Sequence, residues 1–180
     1  MGVFGLAVGM AAFPTLSRLL ARGERSEAYT LLMDALCLLM VFAFVAQAGL
    51  TAAGPEMAEV VWGRARFTLA ELSEIGRLTG YISLGLWAWS AQMLVARGFY
   101  AQGNTWTPTI LGSVIALCVF PLYGRLAEDL GAEGLAIASA IAISIYVALL
   151  LLALTRSLER PIIDLAQLST VVIRMALAAA

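Results

Sequence analysis

The chain is predicted to be an all-α protein, a polytopic transmembrane helix bundle with about five to six membrane helices. Three observations predict it. Hydrophobic residues make up 62% of the 180 and charged residues only 13%, and mean hydropathy is +0.91, far from the balance of a water-soluble domain. Apolar runs of the ~20 residues needed to cross a hydrocarbon core recur along the chain. The turns between them are short and carry the arginines, as loops at a membrane face do.

The first span covers residues 2–20. Gly2, Gly5 and Gly9 put small residues at helical spacing, suited either to close helix contact or to plain packing against lipid. Pro14 is expected to break this helix. Arg18, Arg22 and Arg25 sit in and beside the loop that follows and mark a cytoplasmic face. The apolar start is expected to be a membrane helix that lacks its beginning rather than a signal peptide, because the basic residues come after the apolar run and not before it.

The second span, residues 28–51, carries Asp34 nearly two turns in. A carboxylate at that depth faces protein or a wet cavity. It has two readings, a role on a substrate path or a partner for Arg18 or Arg22. Gly54-Pro55 ends the helix. Met57, Val60, Val61 and Trp62, set among Glu56, Glu59 and Arg64, then suit a short helix lying in the membrane interface. Thr68-Leu69-Ala70-Glu71 is a capping box, in which Thr68 accepts from the backbone while Glu71 reaches back to it. A new helix begins there and leads into the third span, residues 78–96, where Ser90 and Gln92 in the second half are placed to face a water-filled cleft.

The tightest landmark is Phe99-Tyr-Ala-Gln-Gly-Asn-Thr-Trp-Thr-Pro108, a polar turn between two apolar runs. Arg97 stands at its entrance. Thr107 is expected to cap the next helix and Pro108 to fill its first position, where a missing N–H costs nothing. The fourth span is 108–123, residues 124–134 form a small loop, and the fifth span is 135–154. Pro161 opens a further helix, 161–180, which the chain's end truncates.

Composition narrows the function. A net charge of -1 offers no basic field for nucleic acid, so no nucleic-acid partner is expected. Histidine is absent, and Cys37 and Cys118 each lie inside an apolar run, where a thiol acts as a small hydrophobe. No metal, cofactor or catalytic residue is expected, and no phosphate-binding loop or nucleophile elbow is present. Glu71 and Glu74, one turn apart, read as a solvated face. An enzyme is therefore not expected.

Three ordered motifs carry a resemblance. Phe99-Tyr100-Ala101, Gly103-Asn104-Thr105 and Thr107-Pro108 resemble the "FYA-x-G-D-T-x-T-P" connection of the MurJ/MviN family, bacterial flippases of lipid-linked peptidoglycan precursor. Pro14-Thr15-Leu16-Ser17-Arg18 resembles the family's "P-x-L-S-R/K" at the cytoplasmic end of its eighth helix. Gly49-Leu50, Trp62-Gly63-Arg64 and Phe67-Thr68 resemble "GL … FGRGxFT" after its ninth. The chain departs from the pattern at Gln92, where many members have Lys, at Asn104 in place of Asp, and at Trp106 in place of a frequently basic residue.

The resemblance implies a fragment. Residues 1–160 correspond to most of the second six-helix lobe, and 161–180 to the start of the thirteenth helix. The implied function is flipping of lipid II, an undecaprenyl-pyrophosphate-linked sugar-peptide, from the cytoplasmic to the periplasmic leaflet of the bacterial inner membrane by alternating access. The partners are that substrate, the membrane lipids and the missing first lobe. Arg18, Asp34, Gln92 and Arg97 are the substrate-path candidates; for Arg18 and Arg97 the alternative is simple anchoring of helix ends at the head groups. A related multidrug or polysaccharide exporter and a non-transporting membrane remnant are the rival readings. Orientation follows the family and also the arginines: six lie on the alternate loops at Arg18, Arg22, Arg25, Arg97, Arg156 and Arg160, against four at Arg64, Arg66, Arg77 and Arg125.

Overall fold

Two glycine turns close one end of the bundle. A computed structural model describes residues 2–63 and 67–158. In it α1 (Gly2–Ala21) turns into α2 (Arg25–Ala52) through Gly23, at φ 77°, with Glu24 N–H donating to Leu19 O and Gly23 N–H to Leu20 O. The turn from α5 (Leu86–Ala101) to α6 (Trp106–Ser157) repeats this pattern: Gly103 is at φ 74°, Asn104 N–H donates to Phe99 O, and Gly103 N–H to Tyr100 O. Both are Schellman motifs, which satisfy the last carbonyls of a helix and need a residue in the left-handed region. This is the physical content of Gly103 in the Phe-Tyr-Ala turn.

At the opposite end α2 gives way to α3 (Gly54–Trp62), which packs back on α4 (Leu69–Ser83). α3 buries only Gly54 and Ala58, and its Met57, Val60, Val61 and Trp62 remain exposed, Val60 at 85%. The expected short amphipathic helix is thus present. The ring of Phe67 meets that of Trp62 edge-on at 6.4 Å, just beyond Gly63. The capping box is made in full: Glu71 N–H donates to Thr68 Oγ1, and Thr68 N–H to Glu71 Oε2 at 2.7 Å. Arg77 Nε reaches Glu133 Oε1 at 2.8 Å, tying α4 to α6.

α5 is the central helix, packed against α1, α2 and α6. Its Ala88, Ala91, Leu94, Val95 and Phe99 join Leu32, Leu36 and Leu39 of α2 and Val147, Leu150 and Leu154 of α6 in one core, with Phe99 only 1% exposed. Between lipid-embedded helices such a core holds by close van der Waals fit, since lipid tails are as apolar as leucine.

Several boundaries differ from expectation, each for a local reason. Pro14 does not break α1, which is continuous from Gly2 to Ala21; Pro14 and Met10, whose carbonyl loses its N–H partner to the proline, both lie on the exposed side of the helix. The stretch 78–96 is not one helix. α4 ends at Ser83 and α5 begins at Leu86, with Leu84 and Gly85 N–H groups donating to the i−3 carbonyls of Tyr81 and Ile82. Gly85 meets Ala140 and Ile143 so closely that an added Cβ would stand 3.1 Å from each. α6 starts at Trp106, before Thr107. Thr105 at the N-cap position makes no side-chain capping bond, and the capping role falls to Asn104, whose Oδ1 accepts from Thr107 N–H at 3.1 Å while its Nδ2 donates to Thr107 Oγ1 at 2.8 Å. Pro108 still falls in the first turn, where it needs no partner. Residues 124–134 are helical rather than a loop, and the reversal is confined to Gly131 (φ 61°, ψ −133°). The two arms of α6 then run back along each other, joined by Tyr123 Oη to Ser139 Oγ at 3.1 Å and by Tyr146 Oη donating to Pro108 O at 3.0 Å. The helix expected over 161–180 lies outside the described residues.

Candidate functional site

Among the described residues, one side of α5 is left uncovered. At ~100° per residue, Trp89, Gln92, Met93, Ala96, Arg97 and Tyr100 share that side and are exposed or half-buried, while Ala88, Ala91, Leu94, Val95, Gly98 and Phe99 are buried on the other. α1 borders this face near Arg97: Gly9 lies under the Arg97 side chain, and Gly5 against the backbone of Ser90. α6 borders it near Gln92, where an open groove of about 510 Å³ runs between α5 and both arms of α6. Trp89, Ile115, Val119, Ile143 and Tyr146 line it, and it is mainly apolar.

Both polar candidates on α5 therefore occupy this face, on its two edges, ~140° apart around the helix. Gln92 Oε1 is buried without a hydrogen-bond partner among the described residues. Arg97 is half-buried and has neither an ion pair nor a hydrogen-bond acceptor among the described residues.

The other two candidates do not join them. Arg18 is on the exposed side of α1 with Met10 and Pro14, and Asp34 is on the exposed side of α2 with Leu38 and Phe42, turned away from the buried Leu32 and Leu36. Neither Arg18 nor Arg22 makes an ion pair with Asp34 among the described residues. Ser17 of the first motif lines a separate hollow of about 320 Å³ at the glycine-turn end, together with Arg25, Gln102 and Leu158. That hollow brings the ends of α1, α5 and α6 and the start of α2 together, so the loops grouped as cytoplasmic lie at one end of the bundle.

The motif residues resolve into structural parts: Phe99 is core, Tyr100 is exposed on the open face, Gly103 is the left-handed turn residue, and Pro108 is buried in the first turn of α6. Among the described residues no three of His, Cys, Asp or Glu gather closely enough to hold a metal ion. Two features escaped the sequence reading. Asn104, noted as a lost acidic residue, is a helix cap. The break at Ser83–Gly85, where Ser83 Oγ shares a 3.1 Å hydrogen bond with Thr51 Oγ1, had Gly80 and Gly85 as its only signal.

Comparison with known proteins fits this architecture. The chain is 27% identical over 149 residues to "Probable lipid II flippase MurJ" of Rhizobium tropici, covering 79% of this chain and 27% of that protein. It is likewise 27% identical over 142 residues to the protein of the same description from Rhizobium meliloti (strain 1021), covering 79% and 26%. It thus spans about a quarter of the length of these curated relatives. A solved structure described as "Lipid II flippase MurJ, inward closed conformation" superposes with a TM-score of 0.75 at 24% identity, over 98% of this chain and 37% of that one, and so shares the helical fold. The family model "Lipid II flippase MurJ" matches residues 1–180. The chain is a membrane protein and belongs to the MurJ family of lipid II flippases.

Proposed function

We propose that this chain forms most of the second lobe of a flippase that carries lipid-linked peptidoglycan precursor from the cytoplasmic to the periplasmic leaflet of a bacterial inner membrane. The observation that carries the reading is the match of the family model along the whole chain. The uncovered face of α5, with Arg97 at one edge and Gln92 at the other, supports it. A sugar-peptide head group cannot cross hydrocarbon unaided, because each unpaired polar group costs several kcal/mol there. A cleft between two lobes removes that cost, and rocking of one lobe against the other exposes the cleft to each side in turn. On this reading the open face of α5 looks into the cleft, and the missing first lobe supplies the opposite wall.

Arg97 and Arg18 then serve the cytoplasmic mouth. A guanidinium holds two oxygens of a phosphate in one plane, which suits the pyrophosphate of the substrate. Gln92 offers a carboxamide toward the same cleft. Asp34, on the far side of α2, takes its place against lipid head groups or the first lobe. The complete gene, expressed in a strain depleted of its own flippase, is expected to restore growth and cell shape. Failure to restore them, with the protein present in the membrane, overturns the reading.

A further inference from the structure

We infer that Gly9 of α1 is a positioning residue for Arg97, holding its guanidinium on the open face of α5 as a binding group for a lipid-borne phosphate. The inference rests on the flippase reading for the identity of that lipid and on the geometry for the rest. A Cβ built on Gly9 would stand 2.8 Å from both Cδ and Nε of Arg97. The notch left by the missing side chain is therefore occupied by the arginine stem itself, at the point where its planar head begins. Gly5, one turn earlier, differs: an added Cβ there would meet Ser90 O at 3.0 Å and Met93 Cβ at 3.5 Å, which is contact between helix surfaces and involves no charge.

The electrostatics make the arrangement purposeful. A guanidinium in a membrane protein is costly unless it is paired, snorkels to the interface or lines a wet cavity. Arg97 lies one turn from the end of α5, is half-buried, and has no carboxylate or other acceptor among the described residues. Resting across Gly9, it has fewer rotamers left to lose when an anion binds, and a pre-placed fork pays less entropy per hydrogen bond than a free one. A pre-placed planar fork matches an oxyanion with two oxygens in one plane, a carboxylate or a phosphate, and of these the pyrophosphate of the proposed lipid-linked substrate supplies the phosphate. Gly9→Ala would push the stem out of the notch and leave the charge in place but misdirected.

The test is a double-mutant cycle on the protein as its gene encodes it, reconstituted in nanodiscs. Binding of undecaprenyl pyrophosphate is compared with binding of phosphatidylglycerol and of inorganic pyrophosphate, and thermal unfolding is followed in parallel. Gly9→Ala and Arg97→Met are each expected to weaken undecaprenyl pyrophosphate about tenfold, and the pair no more than either alone, since residues acting through one contact are non-additive. Gly5→Ala is expected to lower the unfolding temperature without this loss. Equal loss for phosphatidylglycerol assigns the site to phospholipid head groups, and loss for inorganic pyrophosphate alone assigns it to free anion; either keeps Gly9 and Arg97 as a phosphate site while removing the substrate assignment. Additive losses, or unchanged affinity in Gly9→Ala, overturn the inference even if the complete gene replaces a flippase. If Gly9→Ala does not fold, recovery of folding in the Gly9→Ala/Arg97→Met pair supports the notch, and continued misfolding overturns it.

Discussion

Gly103 and Glu71 show how single residues set helix ends in this protein. Gly103 sits at φ 74°, and an L side chain there costs about 1–2 kcal/mol. Gly103→Ala is therefore expected to lower stability by about that amount in detergent unfolding, although nothing lies within 4 Å of the added methyl; an unchanged unfolding midpoint would contradict the Schellman assignment. Glu71 accepts from the backbone N–H and then the hydroxyl of Thr68, which holds its carboxyl below the usual range. A depressed folded pKa contributes stability that is present above the unfolded value and lost as pH falls through the folded one. The first turn of α4 is thus expected to fray on acidification below the ordinary glutamate range, seen as a loss of amide protection at Glu71 and Leu72 relative to the intrinsic rate. The same measurement on Glu71→Gln should show no such pH step. The capping box was fully legible in the sequence because all its chemistry lies within four residues. Asn104 was legible as a departure only, since its role as a cap depends on a backbone turn that places Oδ1 on Thr107 N–H.

Elements were harder to delimit than to detect. Five apolar runs announced themselves, but the points where they bend are decided by contacts between them. α4 and α5 separate at Gly85, where the chain presses on Ala140 and Ile143 of α6, and no local signal distinguishes that glycine from Gly80. The hairpin of α6 turns at Gly131 alone, although the charged stretch around it reads as a loop of eleven residues. Its two arms are clasped by Tyr146 Oη donating to Pro108 O. Tyr146→Phe is expected to lower stability by about 0.5–1 kcal/mol, the range of a single interhelical hydrogen bond, with little change in packing because the ring remains against Gly112. Equal stability of the two proteins would mean that the clasp is made by the ring and not by the hydroxyl.

At the scale of the molecule, the convergence of the α1, α5 and α6 ends around one hollow makes orientation testable. In a background lacking Cys37 and Cys118, cysteines placed at Arg22 and Gln102 are expected to react with an impermeant thiol reagent from the cytoplasmic side only. Cysteines at Glu59 and Glu74, in the α3–α4 hairpin, should react from the opposite side only. Labelling of all four from one side would overturn the topology. Leu117 and Phe120 of α6, each 76% exposed, and Leu38, Phe42 and Val45 of α2 are exposed apolar side chains, which on the proposed reading meet lipid or the first lobe.

Residue order and type were enough to settle the fold class, the family motifs and the Thr68–Glu71 capping box, because these depend on hydropathy, spacing and chemistry within one turn. They could not settle which side of each helix faces its neighbours. In water an apolar stripe marks the core, but in a bilayer the outer wall is as apolar as the core, so periodicity loses its meaning. Only the tertiary packing turned Asp34 outward, kept Gln92 and Arg97 on the uncovered face of α5, and laid the arginine across Gly9. Among the described residues, those placements on α5 follow from its being enclosed by α1, α2 and α6 on three sides and open on the fourth.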